Sequence, residues 1–163
     1  MQEASVLAAV EPDQAWSVQR LYGSRPVAKR GKIRGFVVKE FLEGTTLGEY
    51  TAALPPPNAP EAEVVQKISR ATGAALANAI EHLGGVPKDA NPMNWIVRQK
   101  ADGDFQVRNC DVEGVVKDPD GIKHEIRVLG EQLGPFQAEF YGELPTSFRA
   151  EAPLPAEAKP EDS

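Results

Sequence analysis

With 163 residues, 41% of them hydrophobic and 26% charged, the chain has the size and composition of one domain built round a single core. One cysteine excludes a disulfide framework and a cysteine-built zinc site, His82 and His124 stand too far apart to suggest a metal cage, and no apolar run nears the ~20 residues of a membrane span. A net charge of −6 weighs against general nucleic-acid binding, and the lack of an apolar stretch after Met1 argues against a secretion signal, so a cytoplasmic location is expected.

In chain order, MQEASVLAAV reads as a short helix with Val6, Leu7 and Val10 on one side. Glu11-Pro12-Asp13 stops it, because proline disfavours helix in the residue before it. Residues 18–27 and 33–42 have strand character, and Lys29 to Lys32 with Gly31 makes a hairpin turn. Ile33, Phe36, Val37, Val38, Phe41 and Leu42 form a nearly continuous apolar run, which suits a strand buried on both faces. The same hairpin carries Arg20, Arg25, Lys29, Arg30, Lys32, Arg34 and Lys39 with no acid among them. A patch of this kind attracts phosphate or an acidic protein partner, and it equally suits the solvated face of a hairpin.

After the rigid Pro55-Pro56-Pro57-Asn58 connector comes the strongest helix signal, over residues 61–83. Val64, Val65, Ile68, Ala71, Ala75, Leu76, Ala79, Ile80 and Leu83 fall on one face, Pro60 suits the first turn, and Gly84 suits the C-terminal cap. Gly73 costs roughly 1 kcal/mol of helix propensity, which implies close packing against a neighbour. Residues 84–93 have no period. Asn94–Arg98 reads as a strand, Ala101–Asp104 as a hairpin turn, and Phe105–Cys110 as the returning strand. Ile122, Ile126, Leu129, Leu133, Phe136 and Phe140 then mark an amphipathic helix broken at Gly134-Pro135. The last residues, AEAPLPAEAKPEDS, cannot bury enough apolar surface to offset ordering, and a disordered tail over 150–163 is expected. The order of elements is that of an α+β fold.

The stretch that points to chemistry is the long helix, a glycine turn, Val86-Pro-Lys-Asp89-Ala-Asn-Pro-Met-Asn94-Trp-Ile-Val, a hairpin turn, and Phe105-Gln-Val-Arg-Asn-Cys-Asp111-Val-Glu-Gly114. It resembles the protein-kinase-like superfamily, which includes aminoglycoside and choline kinases. There a loop after a long helix carries Asp-x-x-x-x-Asn, and the next hairpin delivers a metal-binding Asp. The resemblance implies that Asp89 is the catalytic base and that Asn94 and Asp111 are magnesium ligands. Phosphoryl transfer from ATP needs magnesium held by hard oxygens and a carboxylate that accepts the hydroxyl proton, which is why those residue types recur. Upstream, Phe36-Val-Val-Lys-Glu40-Phe41-Leu42-Glu-Gly44 is similar to the strand and hinge that hold adenine, so the backbone of Glu40, Phe41 and Leu42 is expected at the base. Glu3 would pair with a phosphate-anchoring lysine. The implied domain spans 1–149, and the implied activity is transfer of phosphate to a hydroxyl of a protein or small molecule.

The chain departs from that pattern at several places. Pro87 and Lys88 stand where the family has His and often Arg or Gly, Lys39 stands at an apolar position, and Glu113 follows Asp111 closely where Gly is usual. The helix expected at Met1 leaves no glycine-rich loop or lysine strand before it, which raises two alternatives: a non-catalytic scaffold of pseudokinase type, or a fragment of a longer kinase. Asp89 also suits a plain turn, Asn94 a backbone contact, and Asp111 a strand end where its carboxylate would be desolvated unless a cation met it. Cys110 reads as a small core residue, Trp16 and Trp95 as core or edge packing, and His82 and His124 as surface residues with no obvious partner.

Overall fold

The computed structural model describes residues 15–29, 32–112 and 114–151, without the side chains of 21–29, 32–38, 150 and 151. The expected first helix, Glu3, the hairpin tip at 30–31, Glu113 and the tail beyond 151 lie outside the described residues. The fold is α+β, built from small antiparallel sheets packed on helices.

Strands β1 (Leu21–Lys29) and β2 (Lys32–Lys39) form an antiparallel hairpin in which Lys29 faces Lys32. Val18 does not belong to it: the strand begins three residues later than the sequence suggests, and Val18 instead makes a parallel bridge to Asn109. The second strand ends at Lys39, not Leu42, because Glu40 turns aside to bond Arg20 and Arg108. Phe41, expected in a buried strand, is 87% exposed. A short strand β3 (Thr45–Thr46) and helix α1 (Leu47–Thr51) follow.

Helix α2 (Ala62–Leu83) is the spine of the molecule. Val65, Ile68, Thr72, Leu76, Ala79 and Leu83 turn inward at helical spacing. Thr72 meets its own burial cost by donating to the Ile68 carbonyl at 2.8 Å. The helix stops at Gly84, whose φ of 75° is the left-handed conformation of a C-terminal cap, with its N–H on the Ile80 carbonyl at 3.1 Å. Val64 lies at the edge of the apolar stripe and is 41% exposed, and Pro60 precedes the helix without entering it. Gly73 packs where a methyl group would run into the Phe140 carbonyl, which accounts for glycine in mid-helix.

Beyond α2, strand β4 (Val86–Pro87) pairs with β7 (Val115–Val116), while β5 (Trp95–Gln99) and β6 (Phe105–Asn109) form the central hairpin. β3 lies along the free edge of β5, and residues 17–19 run along β6. Helix α3 (Pro119–Gln132) starts at Asp118, whose carboxylate caps the Gly121 N–H at 2.7 Å. It breaks at Gly134–Phe136, as the Gly-Pro pair suggests, and resumes as α4 (Gln137–Gly142). Leu47, Ile68, Leu76, Trp95, Val97, Val107, Ile126, Leu129 and Phe140 make one core between α2, the β5–β6 hairpin and the last helices. No helix of the described residues is long and apolar enough to cross a membrane.

Candidate functional site

Two backbone links join the segments that carry Asp89, Asn94 and Asp111. β4 pairs antiparallel with β7, Pro87 opposite Val115, and the Lys88 N–H extends that pairing to the Gly114 carbonyl at 2.9 Å. Asp89 is therefore delivered beside the segment that begins at Asp111. The pairing needs glycine at position 85, because a methyl group there would strike the Val116 carbonyl. On the neighbouring hairpin Trp95 faces Asn109, and the Cys110 N–H donates to the Asn94 carbonyl at 2.9 Å. Asn94 thus lies across from Cys110, one residue from Asp111.

Each of the loops is shaped locally. Asn91 accepts from the Met93 N–H at 2.9 Å, its carbonyl accepts from Asn94 at 2.9 Å, and Pro92 suits the single 3₁₀ turn between them. Asp89 has φ +73°, the left-handed region that Asp enters more readily than most residues but still uncommonly. Asp111 is held by Asn109, a fully buried side chain whose Oδ1 accepts the Asp111 N–H at 2.9 Å. Asp89 is exposed, while Asn94 and Asp111 are half-buried, so Asp111 is more open than a strand-end carboxylate in a dry core. No hydrogen bond or ion pair engages the side chains of Asp89, Asn94 or Asp111 among the described residues.

This donor set fits magnesium better than a structural metal. An amide oxygen and a carboxylate are hard ligands, and magnesium keeps open positions for water and phosphate oxygens. Among the described residues no three His, Cys, Asp or Glu side chains gather into a cage, so an ion here would draw its remaining ligands from an anionic molecule.

A cleft of about 190 Å³ is lined by Glu40, Phe41, Leu42 and Glu43 on one side and Ile96, Arg98, Gln106 and Arg108 on the other, without Asp89, Asn94 or Asp111. The second set is one face of the β5–β6 hairpin, with Ile96 opposite Arg108 and Arg98 opposite Gln106. Asn94 ends the 3₁₀ turn that precedes β5, two residues before Ile96. Of the three hinge residues expected at adenine, Glu40 has both backbone groups engaged. Its N–H donates to the Arg20 carbonyl at 2.9 Å and its carbonyl accepts from Gln19 Nε2 at 2.5 Å. Phe41 and Leu42 have no hydrogen-bond partner among the described residues.

The Glu40 carboxylate is bound bidentately by Arg108, Nη1 to Oε2 at 2.8 Å and Nη2 to Oε1 at 2.7 Å. The Arg108 hydrogen bonds hold its pKa below the ordinary glutamate value, against the opposing effect of burial, with help from the Arg20 N–H and the charges of both arginines. Sequence reasoning missed Arg108, Asn109 and Ile96. Their alternation in FQVRN and NWIV shows which face each occupies, but their partners come from other segments.

The chain matches no known protein-family model, and a search of curated proteins found no match.

Proposed function

We propose that this protein is an ATP- and magnesium-dependent phosphotransferase of the protein-kinase-like kind, acting on a hydroxyl of a protein or a small molecule. The observation that supports the reading is that the backbone pairings Lys88–Gly114 and Asn94–Cys110 link the segments carrying Asp89, Asn94 and Asp111, whose side chains have no partner among the described residues. In this reading the free backbone groups of Phe41 and Leu42 bond the base, and Ile96 supplies its apolar floor. Asn94 and Asp111 hold magnesium, which when bound neutralises the charge of the phosphates. Asp89 orients the acceptor hydroxyl and takes its proton as the new O–P bond forms and the bond from the γ-phosphorus to the bridging oxygen of ADP breaks.

Thermal unfolding with and without ATP and magnesium tests this, beside Asp111→Ala. At a hundredfold excess over Kd a true site adds ~2.7 kcal/mol, a rise in Tm of roughly 5–10 °C for a domain of this size. The expected result is a magnesium-dependent rise that Asp111→Ala abolishes. The same absence of a rise in both folded proteins would overturn the reading.

A non-catalytic binding module is the second reading, and the exposure of Phe41 at the base of the basic hairpin favours it. In that case residues 20–39 dock an acidic protein, and Asp111→Ala leaves the docking intact.

A further inference from the structure

Arg108 spends nearly all its donors on tying distant segments together. Its Nε donates to the Trp16 carbonyl at 2.6 Å, Nη2 to the Val18 carbonyl at 2.8 Å and to Glu40 Oε1 at 2.7 Å, and Nη1 to Glu40 Oε2 at 2.8 Å. Glu40 Oε1 also accepts the Arg20 N–H at 3.1 Å. The two charged side chains are 16% and 22% exposed, so water competes weakly for either of them. Glu40 is thereby fixed by its carboxylate, its N–H and its carbonyl at once. The chain is next held at Thr45, which pairs with Val97. Between these anchors Phe41, Leu42 and Glu43 line the cleft with unbonded backbone groups.

A four-residue span fixed at both ends offers its donors and acceptors in a narrow range of positions. A span released at Glu40 would lose that order, and a ligand would have to restore it at a cost in affinity. We propose that Arg108 is a positioning residue for a purine base: through Glu40 it holds the Phe41–Leu42 backbone across the cleft from Ile96. The role rests on the nucleotide reading above. It belongs to the base end of the site alone, since Asn94 and Asp111 are held by a different bond, from Cys110 to Asn94, and by Asn109.

The test is binding of adenosine, measured in EDTA so that the magnesium ligands are silent, beside binding of ATP with magnesium, for the full chain and for Arg108→Lys. Lysine keeps the charge but cannot present the planar fork that serves four acceptors. The expected result is a loss of adenosine affinity of at least fivefold in a variant that still unfolds cooperatively above the assay temperature. Glu40→Gln, which keeps size and removes charge, repeats the measurement should Arg108→Lys fail to fold. Unchanged adenosine affinity in a folded variant overturns the positioning role and leaves the nucleotide reading standing. The same holds if the parent protein binds ATP with magnesium but not adenosine. A parent protein that binds neither overturns both.

Discussion

Arg108 illustrates how much one side chain on the polar face of a strand can organise. Removing it leaves a largely buried carboxylate without its main partner, and Arg108→Ala should cost about 2–4 kcal/mol, read as a lower urea midpoint at unchanged slope. The pair also predicts a pH dependence. The folded pKa of Glu40 lies below its ordinary value of 4.5, so its contribution is complete above about pH 4.5 and fades as pH falls through the depressed value. The stability gap between the parent protein and Glu40→Gln should therefore be widest near neutrality and narrow progressively below pH 4.5. A gap that stays constant through that range would show that the carboxylate is not linked to folding. The loop that carries Asp89 and Asn94 and the hairpin that leads to Asp111 were legible because they are local features. Glu40 and Arg108 are 68 residues apart, and no periodicity reports a contact of that kind.

Among the elements, those long enough to show a period could be read directly. The stripe over 61–83 and the Ile122–Phe140 spacing anticipate α2, α3 and α4, and the Gly134-Pro135 break falls where the structure has it. The β5–β6 hairpin was legible from its alternation and from Gly103 in the turn, where φ is +91°. β4 and β7 were not, because two residues carry no alternation and their pairing depends on the approach allowed by Gly85. That approach gives an element-level prediction. Gly85→Ala should push β4 from β7, separate Asp89 from Asp111, and remove magnesium-dependent ATP binding while α2 stays helical by circular dichroism. Gly73→Ala should act on packing instead. Its gain in helix propensity is about 1 kcal/mol, while overpacking against the Phe140 backbone costs up to about 3 kcal/mol. The expected outcome is a net loss of stability and an earlier release of α4, visible by hydrogen exchange.

At the scale of the whole molecule, the main core runs from Leu47 of α1 to Leu144, whereas the backbones of β1 and β2 meet chiefly each other. A two-stranded hairpin is marginal by itself in water. Its amides should exchange well before those of β5, β6 and α2, a pattern that native-state hydrogen exchange would read directly. Equal protection across both parts would show that the hairpin shares the stability of the body. The α+β class followed from the order of elements, but the chiefly mutual pairing of β1 and β2 did not, since hydropathy alone does not say which elements a strand will meet.

The chain leaves the body at Arg20 and returns at Glu40, and the Glu40 N–H meets the Arg20 carbonyl at 2.9 Å across that gap. Geometrically this is a closed stem, and whatever is carried between its two feet enters and leaves through one point. Such a stem tolerates exchange of its cargo: a different hairpin, or a small reporter domain, could be grafted between residues 20 and 40 without rerouting the rest of the polypeptide. A reporter seated there would stand on the same clasp that orders the cleft, and strain at the stem would be felt first at Phe41 and Leu42.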